Sequence, residues 1–299
     1  MLRLPLNDTV GEMRTRAERV PLRREAVPIY DSALALSPFR SAISDMYRYR
    51  GLVQLLVARE LTVRYKRSIL GISWTVLNPL LTSLVMWMVF NHIFRARIPG
   101  NIPYIVYLLS GILVVTYFQQ GVSVTASSLA SSAGVLTKVY VPPMVFAISA
   151  ACSGALNFLF GLVPLFIFQL VVGPGIAPQM VLIPLPLACL LAFVAGLGLL
   201  LATFVIRFDD LLNLVNVTLL LIAYLTPTFY PLTIIPPRFR VLFYLNPLYS
   251  YLEVFRYLEY GHGGATLAAW IITVAVAPCT FLLGLGTFIR RWPTIAALL

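Results

Sequence analysis

Residues 180–206 read MVLIPLPLACLLAFVAGLGLLLATFVI, and no charged side chain interrupts them. At about 1.5 Å of rise per residue, a helix of that length crosses the ~30 Å hydrocarbon core of a bilayer. Hydrophobic residues occupy every side of such a helix, so it needs an apolar surrounding all round. Five further apolar runs accompany it, at 71–94, 103–125, 143–172, 211–231 and 265–289. Six spans are therefore expected. Pro79, Pro164, Pro184, Pro186 and Pro278 fall inside the runs; in a bundle, neighbouring helices re-satisfy the backbone groups that a proline frees.

Composition agrees. Of 299 residues, 60% are hydrophobic and 11% charged, against about 25% charged in an ordinary soluble domain. Mean hydropathy is +0.88. Too little polar side chain exists to clothe a globule in water, so lipid is much of the solvent. The net charge of +11 is concentrated ahead of the first run, where 13 of the 22 basic residues lie within residues 1–67. A nucleic-acid binder would spread or stripe that charge, so no nucleic-acid partner is expected. Cys152, Cys189 and Cys279 are isolated within apolar runs, and His92 and His262 lie far apart. That pattern disfavours disulfides and metal sites. The charged N-terminus also lacks the apolar stretch of a cleaved signal peptide.

Residues 1–37 are expected to form a basic cytoplasmic tail, punctuated by Pro5, Pro21 and Pro28. Residues 38–69 read as an amphipathic helix, with Met46, Tyr49, Leu52, Val53, Leu56 and Val57 at helical spacing and arginines opposite. Such a helix lies in the headgroup layer beside membrane lipid, or else packs on a partner. With the N-terminus inside, the cytoplasmic side collects 17 Lys and Arg and the other side 5. Both termini are thus expected in the cytoplasm, with 293–299 a short tail. Residues 232–262 sit outside yet are too rich in aromatic and aliphatic side chains for a water-exposed loop. Two short re-entrant helices turning at Asn246-Pro247, or one interfacial helix lying flat, would explain them.

The missing residues speak to energy. No Asp or Glu occurs between Glu60 and Asp209, so the first four spans lack the carboxylates with which ion-coupled carriers work at mid-membrane. Lys66 and Lys138, the chain's two lysines, follow Tyr65 and Thr137, so no phosphate-cradling G-x-x-x-x-G-K-[ST] loop exists. If ATP drives the protein, another polypeptide supplies the motor.

The stretch 52–80, LVQLLVARELTVRYKRSILGISWTVLNPL, carries a resemblance. Arg59-Glu60-Leu61, Val63-Arg64-Tyr65-Lys66, Leu70-Gly71, Trp74 and Asn78-Pro79 resemble the start of the membrane (permease) subunit of type 2 ABC exporters. The branch is the one that moves lipid-linked polysaccharides such as O-antigens and teichoic acids. LTKVYVP at 136–142 and YLNPLYSYLEVFR at 244–256 are similar to that family's segment between spans two and three and to its outer re-entrant region. The likeness covers about residues 45–292. It departs at Asp209, where an arginine is common, and at Pro143, where a basic residue is common.

The resemblance implies a six-span half-transporter over 70–292 that is not itself an enzyme. Two copies would pair as a homodimer on two copies of a separate ABC ATPase subunit, which would bind the ATP and Mg. This chain would hold no cofactor and no catalytic residue. The segment at about 128–142 becomes the candidate coupling helix, with Val135, Leu136, Val139 and Tyr140 entering a cleft on the motor and Lys138 supplying charge; a plain turn is the alternative. Glu60 and Arg64 either pair along their helix or touch the motor or the coupling segment. Tyr104, Tyr107, Tyr117, Phe118, Tyr224, Phe229 and Tyr230 are candidates to line a glycan conduit, or an interfacial belt. Arg48, Arg50 and Arg67 inside, and Arg238, Arg240, Arg256 and Arg95 outside, are candidates for a lipid pyrophosphate, or for ordinary contact with headgroups and water. Ala188, Ala192 and Gly196 form a small-residue ladder that predicts close helix packing. Three rivals stand beside this reading. One is a type 2 exporter of a smaller lipid or drug. The others are a polyprenyl-carrier transferase, for which only Asp209 and Asp210 are placed, and an ion-coupled flippase.

Overall fold

The structure, a computed structural model, describes residues 44, 46–93, 102–136, 138, 141–208, 210–261 and 264–296, with backbone alone at His92 and Ile93. The basic tail 1–37 and the C-terminal 297–299 lie outside the described residues, as does the first part of the amphipathic helix. Among the described residues there are helices and no strand. The protein is an all-α, multi-pass integral membrane protein.

Helix α1, Arg50–Tyr65, carries the expected amphipathic pattern. Val57 is buried, and Leu52, Val53 and Leu56 are half-buried. That face packs on protein, against α5 (Met144–Val171), rather than only on lipid. Seven residues then turn the chain, with positive φ at Arg67 (71°) and Gly71 (52°). Helix α2 follows, Ser73–Met88, prolonged by a π turn, Val89–Ile93. Next come α3 (Tyr104–Ser131), the four-residue α4 (Ala133–Leu136) and α5. A 3-10 turn, Pro178–Leu182, leads into α6, Pro184–Val205. Pro184 sits in the first turn of α6, where its missing N–H costs nothing.

Five described helices are long and apolar enough to cross a membrane: Ser73–Asn91, Tyr104–Ser131, Met144–Val171, Pro178–Val205 and Leu267–Ile295. The run expected to form another span, 211–231, behaves differently. Helix α7 covers only Asp210–Tyr224, about 22 Å, and residues 225–231 leave the helix. Pro227 and Pro231 are the cause. Each lacks a donor, and Pro227 bars Thr226 from helical geometry.

The 232–262 segment holds two helices, α8 (Pro237–Tyr244) and α9 (Pro247–Tyr260). They meet where expected: Asn246 caps α9, its Oδ1 accepting from the Leu248 N–H at 3.1 Å. Helix α9 is no flat surface helix. Leu248, Leu252, Val254 and Leu258 are fully buried, packed mainly against α3 and the last helix, α10 (Leu267–Ala296). Helix α8 instead leaves Val241 and Leu242 exposed.

Two close contacts order the bundle. At Gly196 and Gly284, α6 and α10 touch backbone to backbone. A Cβ on Gly284 would lie 2.0 Å from the Gly196 carbonyl oxygen, and one on Gly196 would lie 2.5 Å from the Phe281 backbone. The ladder's reading as close packing is thus right at Gly196. The second contact is a ring stack, Phe118 on Phe193 at 5.6 Å and Phe193 on Tyr251 at 5.4 Å, joining α3, α6 and α9. Outside this core α2 and α7 are lightly packed: α2 buries only Ser83 and α7 buries Val215, Leu219 and Ala223.

Candidate functional site: a polar trench along α3 and a clamp at its end

Within its apolar sequence α3 carries Thr116, Gln120, Ser123, Ser127 and Ser131, a spacing of three or four that puts them along one helix side. A polar stripe on a membrane helix needs polar company, because lipid offers no hydrogen bonds. The company is there. Three cavities, of about 270, 460 and 510 Å³, lie along this side, and Arg64 and Val124 line all three. The first is walled by Asn78 of α2 and Asn157 of α5, where the Tyr65 hydroxyl donates to Asn157 Oδ1 at 3.3 Å. The second joins α1 to the end of α3 and to Val135 of α4. The third is bounded by α7, where Ser123 donates to Asn216 Oδ1 at 2.7 Å and Gln119 to the Leu219 carbonyl at 3.3 Å. Hydroxyls and amides around the Arg64 cation make a polar surface able to offer hydrogen bonds to a polar or anionic group.

Along α3 these three cavities reach as far as Leu113. One turn earlier an arginine and two tyrosines are engaged with backbone carbonyls. Arg256 of α9 enters beside Gly111, whose missing side chain makes the room: a Cβ there would lie 2.7 Å from Arg256 Nη2 and 2.8 Å from Thr228 Cγ2. The guanidinium donates to the carbonyls of Tyr107 (3.0 Å), Pro227 (3.0 Å) and Thr228 (3.3 Å) and to Ser110 Oγ (3.4 Å). It also lies over the Tyr107 ring, 3.6 Å from its centroid, a cation–π contact. The Tyr107 hydroxyl donates to the carbonyls of Tyr230 (2.9 Å) and Pro227 (3.2 Å), and the Tyr104 hydroxyl to that of Phe229. Asn246 Nδ2 donates to Thr226 Oγ1 at 2.9 Å. The carbonyls of the non-helical segment from Pro227 to Tyr230 are therefore held by side chains.

This geometry revises several assignments. Tyr104, Tyr107 and Phe118 are buried within the protomer, so they present no face to a conduit and form no belt. They clamp and pack, because the apolar run is an inner helix of the bundle. Tyr117 is mostly buried but walls the 270 Å³ cavity. Tyr224 is exposed, one turn past Leu220 of the trench wall. Phe229 stacks on Phe90 at 6.1 Å, and Tyr230 gives its carbonyl to Tyr107. Arg256 is no free phosphate ligand, since its donors are committed. Arg240 is tied to the carbonyls of Ile235 and Thr233, and Arg238 lies against the Phe239 ring. Arg48 precedes α1, Arg50 opens it and Arg67 follows it, about 24 Å away, so these three do not converge. Arg50 rests on the Tyr47 ring.

Among the coupling residues, Glu60, Arg64 and Val135 line one cavity, and Glu60 also pairs with Arg64 at 3.4 Å. The pair along the helix is thus formed, and it stands beside the segment that follows α3. Leu136 packs against the apolar cluster that includes Met144 and Phe288, while Lys138 is exposed. Val139, Tyr140, Arg95 and Asp209 lie outside the described residues. Sequence reasoning missed the α3 stripe, although the run QQGVSVTASSLASS at 119–132 announces it.

Comparison with known proteins settles the family. Residues 51–260 match the ABC-2 type transporter family. The chain belongs to that family. An O-antigen export system permease protein RfbA of Myxococcus xanthus is 32% identical over 222 residues, 74% of this chain and 84% of the relative. One of Klebsiella pneumoniae is 30% identical over 72% of this chain and 83% of the relative. The ABC-2 fold thus accounts for α1 to α9, with trench and clamp both inside the matched region. The likeness to exporter permeases of the O-antigen branch, carried by the 52–80 motif, holds across most of the chain.

Proposed function

We propose that this chain is the membrane subunit of an ATP-driven exporter moving a lipid-linked polysaccharide of O-antigen, teichoic-acid or cell-wall type. The membrane is the cytoplasmic (inner) one, with both termini in the cytoplasm. The observation that carries the reading is the polar trench, which gives a hydrophilic polymer a path that lipid denies it. The similarity to O-antigen permeases supplies the cargo class. Two copies pair, and two copies of a separate ABC ATPase bind ATP and Mg and do the hydrolysis. This chain does no covalent chemistry.

Mechanistically, Arg64 meets the anionic headgroup of the cargo near the end of α1, its charge held in place by Glu60. The hydroxyls and amides of α3 exchange hydrogen bonds with sugars as they pass, and no single register is favoured, which suits a sliding chain. The segment at 128–142 transmits the motor's movement: it joins α3 to α5 and shares a cavity with α1, so displacing it changes the trench. Tyr224 lines the path from α7.

The test is purification from native membranes in mild detergent, with mass spectrometry of what accompanies the chain and surface-glycan staining of cells lacking it. A stoichiometric polypeptide with a phosphate-binding loop, and loss of surface glycan, are expected. Surface glycan at wild-type level would sink the polysaccharide assignment and favour a smaller amphiphile. Changing Lys138 and Tyr140 together to Ala is expected to lower export while the protein remains inserted.

A further inference from the structure

Glu259 lies on α9 three residues after Arg256, on the same side of the helix. It is completely buried, and neither carboxylate oxygen has a hydrogen-bond partner among the described residues. Burying a carboxylate unpaired is costly, so a group left this way needs a reason. The nearby cation does not supply its hydrogen bonds here, because the Arg256 fork is committed to the carbonyls of Tyr107, Pro227 and Thr228. Arginine and acid are neighbours that this state keeps apart. The segment the arginine holds is unusual too. Its carbonyls from Pro227 to Tyr230 accept from the side chains of Tyr104, Tyr107 and Arg256, so letting go requires no helix to unwind.

We propose that Arg256 is a two-position latch at the closed end of the trench. In the present position it holds segment 225–231 against α3. In the other its guanidinium turns to the Glu259 carboxylate and releases the Pro227 and Thr228 carbonyls, so that the segment swings away from Gly111 and the trench extends past Leu113. The two positions are close in energy because each leaves one set of acceptors unsatisfied, the carboxylate now and the carbonyls then. Arg256 is a positioning residue: it touches no cargo and acts through the segment. The inference rests on the exporter reading only for what passes when the latch opens.

The test places one cysteine at Thr228, which is buried and has an unpartnered hydroxyl, with Cys152, Cys189 and Cys279 changed to Ala. The full chain, with its co-purified ATPase, is set in lipid nanodiscs and treated with a membrane-impermeant maleimide. At rest the parent should label slowly, and Arg256→Gln should raise the rate by ~10-fold or more, since charge-assisted hydrogen bonds are lost. Arg256→Lys should fall between, keeping charge without the fork. Glu259→Gln should leave the resting rate unchanged but remove the rise that ATP turnover produces in the parent. A resting rate unmoved by Arg256→Gln overturns the latch. A parent whose labelling does not rise with turnover, or a rise that survives Glu259→Gln, overturns the exchange. Should Arg256→Gln fail to insert, Tyr107→Phe tests the same clamp: it loses two hydrogen bonds to the segment and keeps the ring, for an expected rise of ~3-fold. The resting measurements need neither ATP nor cargo. Missing glycan export with those measurements as expected would therefore sink the exporter reading and leave the latch standing.

Discussion

The two ends of α3 solve opposite problems with the same helix. From Tyr104 to Gly111 the tyrosine hydroxyls and the Arg256 guanidinium are matched to carbonyls, and a glycine is needed where the arginine enters. From Thr116 to Ser131 the same helix faces cavities, and its hydroxyls bond mostly to their own preceding turn or to Asn216. The first arrangement fixes a structure. The second lines cavities with side chains whose bonds are mostly local. Polarity inside a membrane protein is thus no mark of a path by itself; what matters is whether the polar groups are already spent.

That contrast is open to attack by substitution, beginning with the packed half. Phe118→Ala removes the α3 ring from its stack on Phe193 and leaves a cavity with nothing to fill it. About 3 kcal/mol of stability should be lost; the lower part of the usual range applies because packing, more than water exclusion, holds membrane helices together. Thermal unfolding of the detergent-purified protein checks it, and an unchanged midpoint would show that the stack is slack. Gly111→Ala comes next. Its Cβ would meet Arg256 Nη2 and Thr228 Cγ2 below contact distance, so either the arginine or the segment must shift, at about 1–3 kcal/mol. It should also raise cysteine labelling at residue 228. Stability lost with labelling unchanged would mean that the strain goes elsewhere.

Most of the architecture was legible because it follows from hydropathy alone. The apolar runs, the turn at Asn246-Pro247, and Gly196 as a close contact all sit where residue type leaves one solution. The broken end of the fifth run was less so. Pro227 and Pro231 were visible, but prolines occur inside other runs without ending the helix, as Pro79 and Pro164 show. Only the partners decide: Tyr104, Tyr107 and Arg256, distant in sequence, accommodate the break. The same distance hid the roles of those three. A tyrosine near a span end and an arginine beyond it look alike whether they face lipid, cargo or a carbonyl. Conversely, hydroxyls were overlooked in α3 because each alone can bond its own helix backbone, and their meaning comes from the stripe.

The open half should answer mutation in the opposite sense. Arg64→Ala removes a solvent-exposed ion pair with Glu60, worth about 0–1 kcal/mol, so the unfolding midpoint should barely move. Surface glycan should nevertheless fall several-fold, because the charged side chain common to all three cavities is gone. Smallest in stability is the pair Ser123→Ala with Ser127→Ala. Ser127 bonds within its own helix and Ser123 to a half-exposed partner, so the change should stay within about 0.5 kcal/mol. An apolar patch midway along a hydrated path should still slow a sugar chain, which would have to give up water there without new hydrogen bonds. Export in membrane vesicles should therefore drop while ATP hydrolysis continues. If the double variant exports at the parental rate and Arg64→Ala does too, the cavities are packing defects. The distinction between the two halves of α3 would then be one of stability alone, with the cargo travelling over the surface that α2 and α7 leave uncovered.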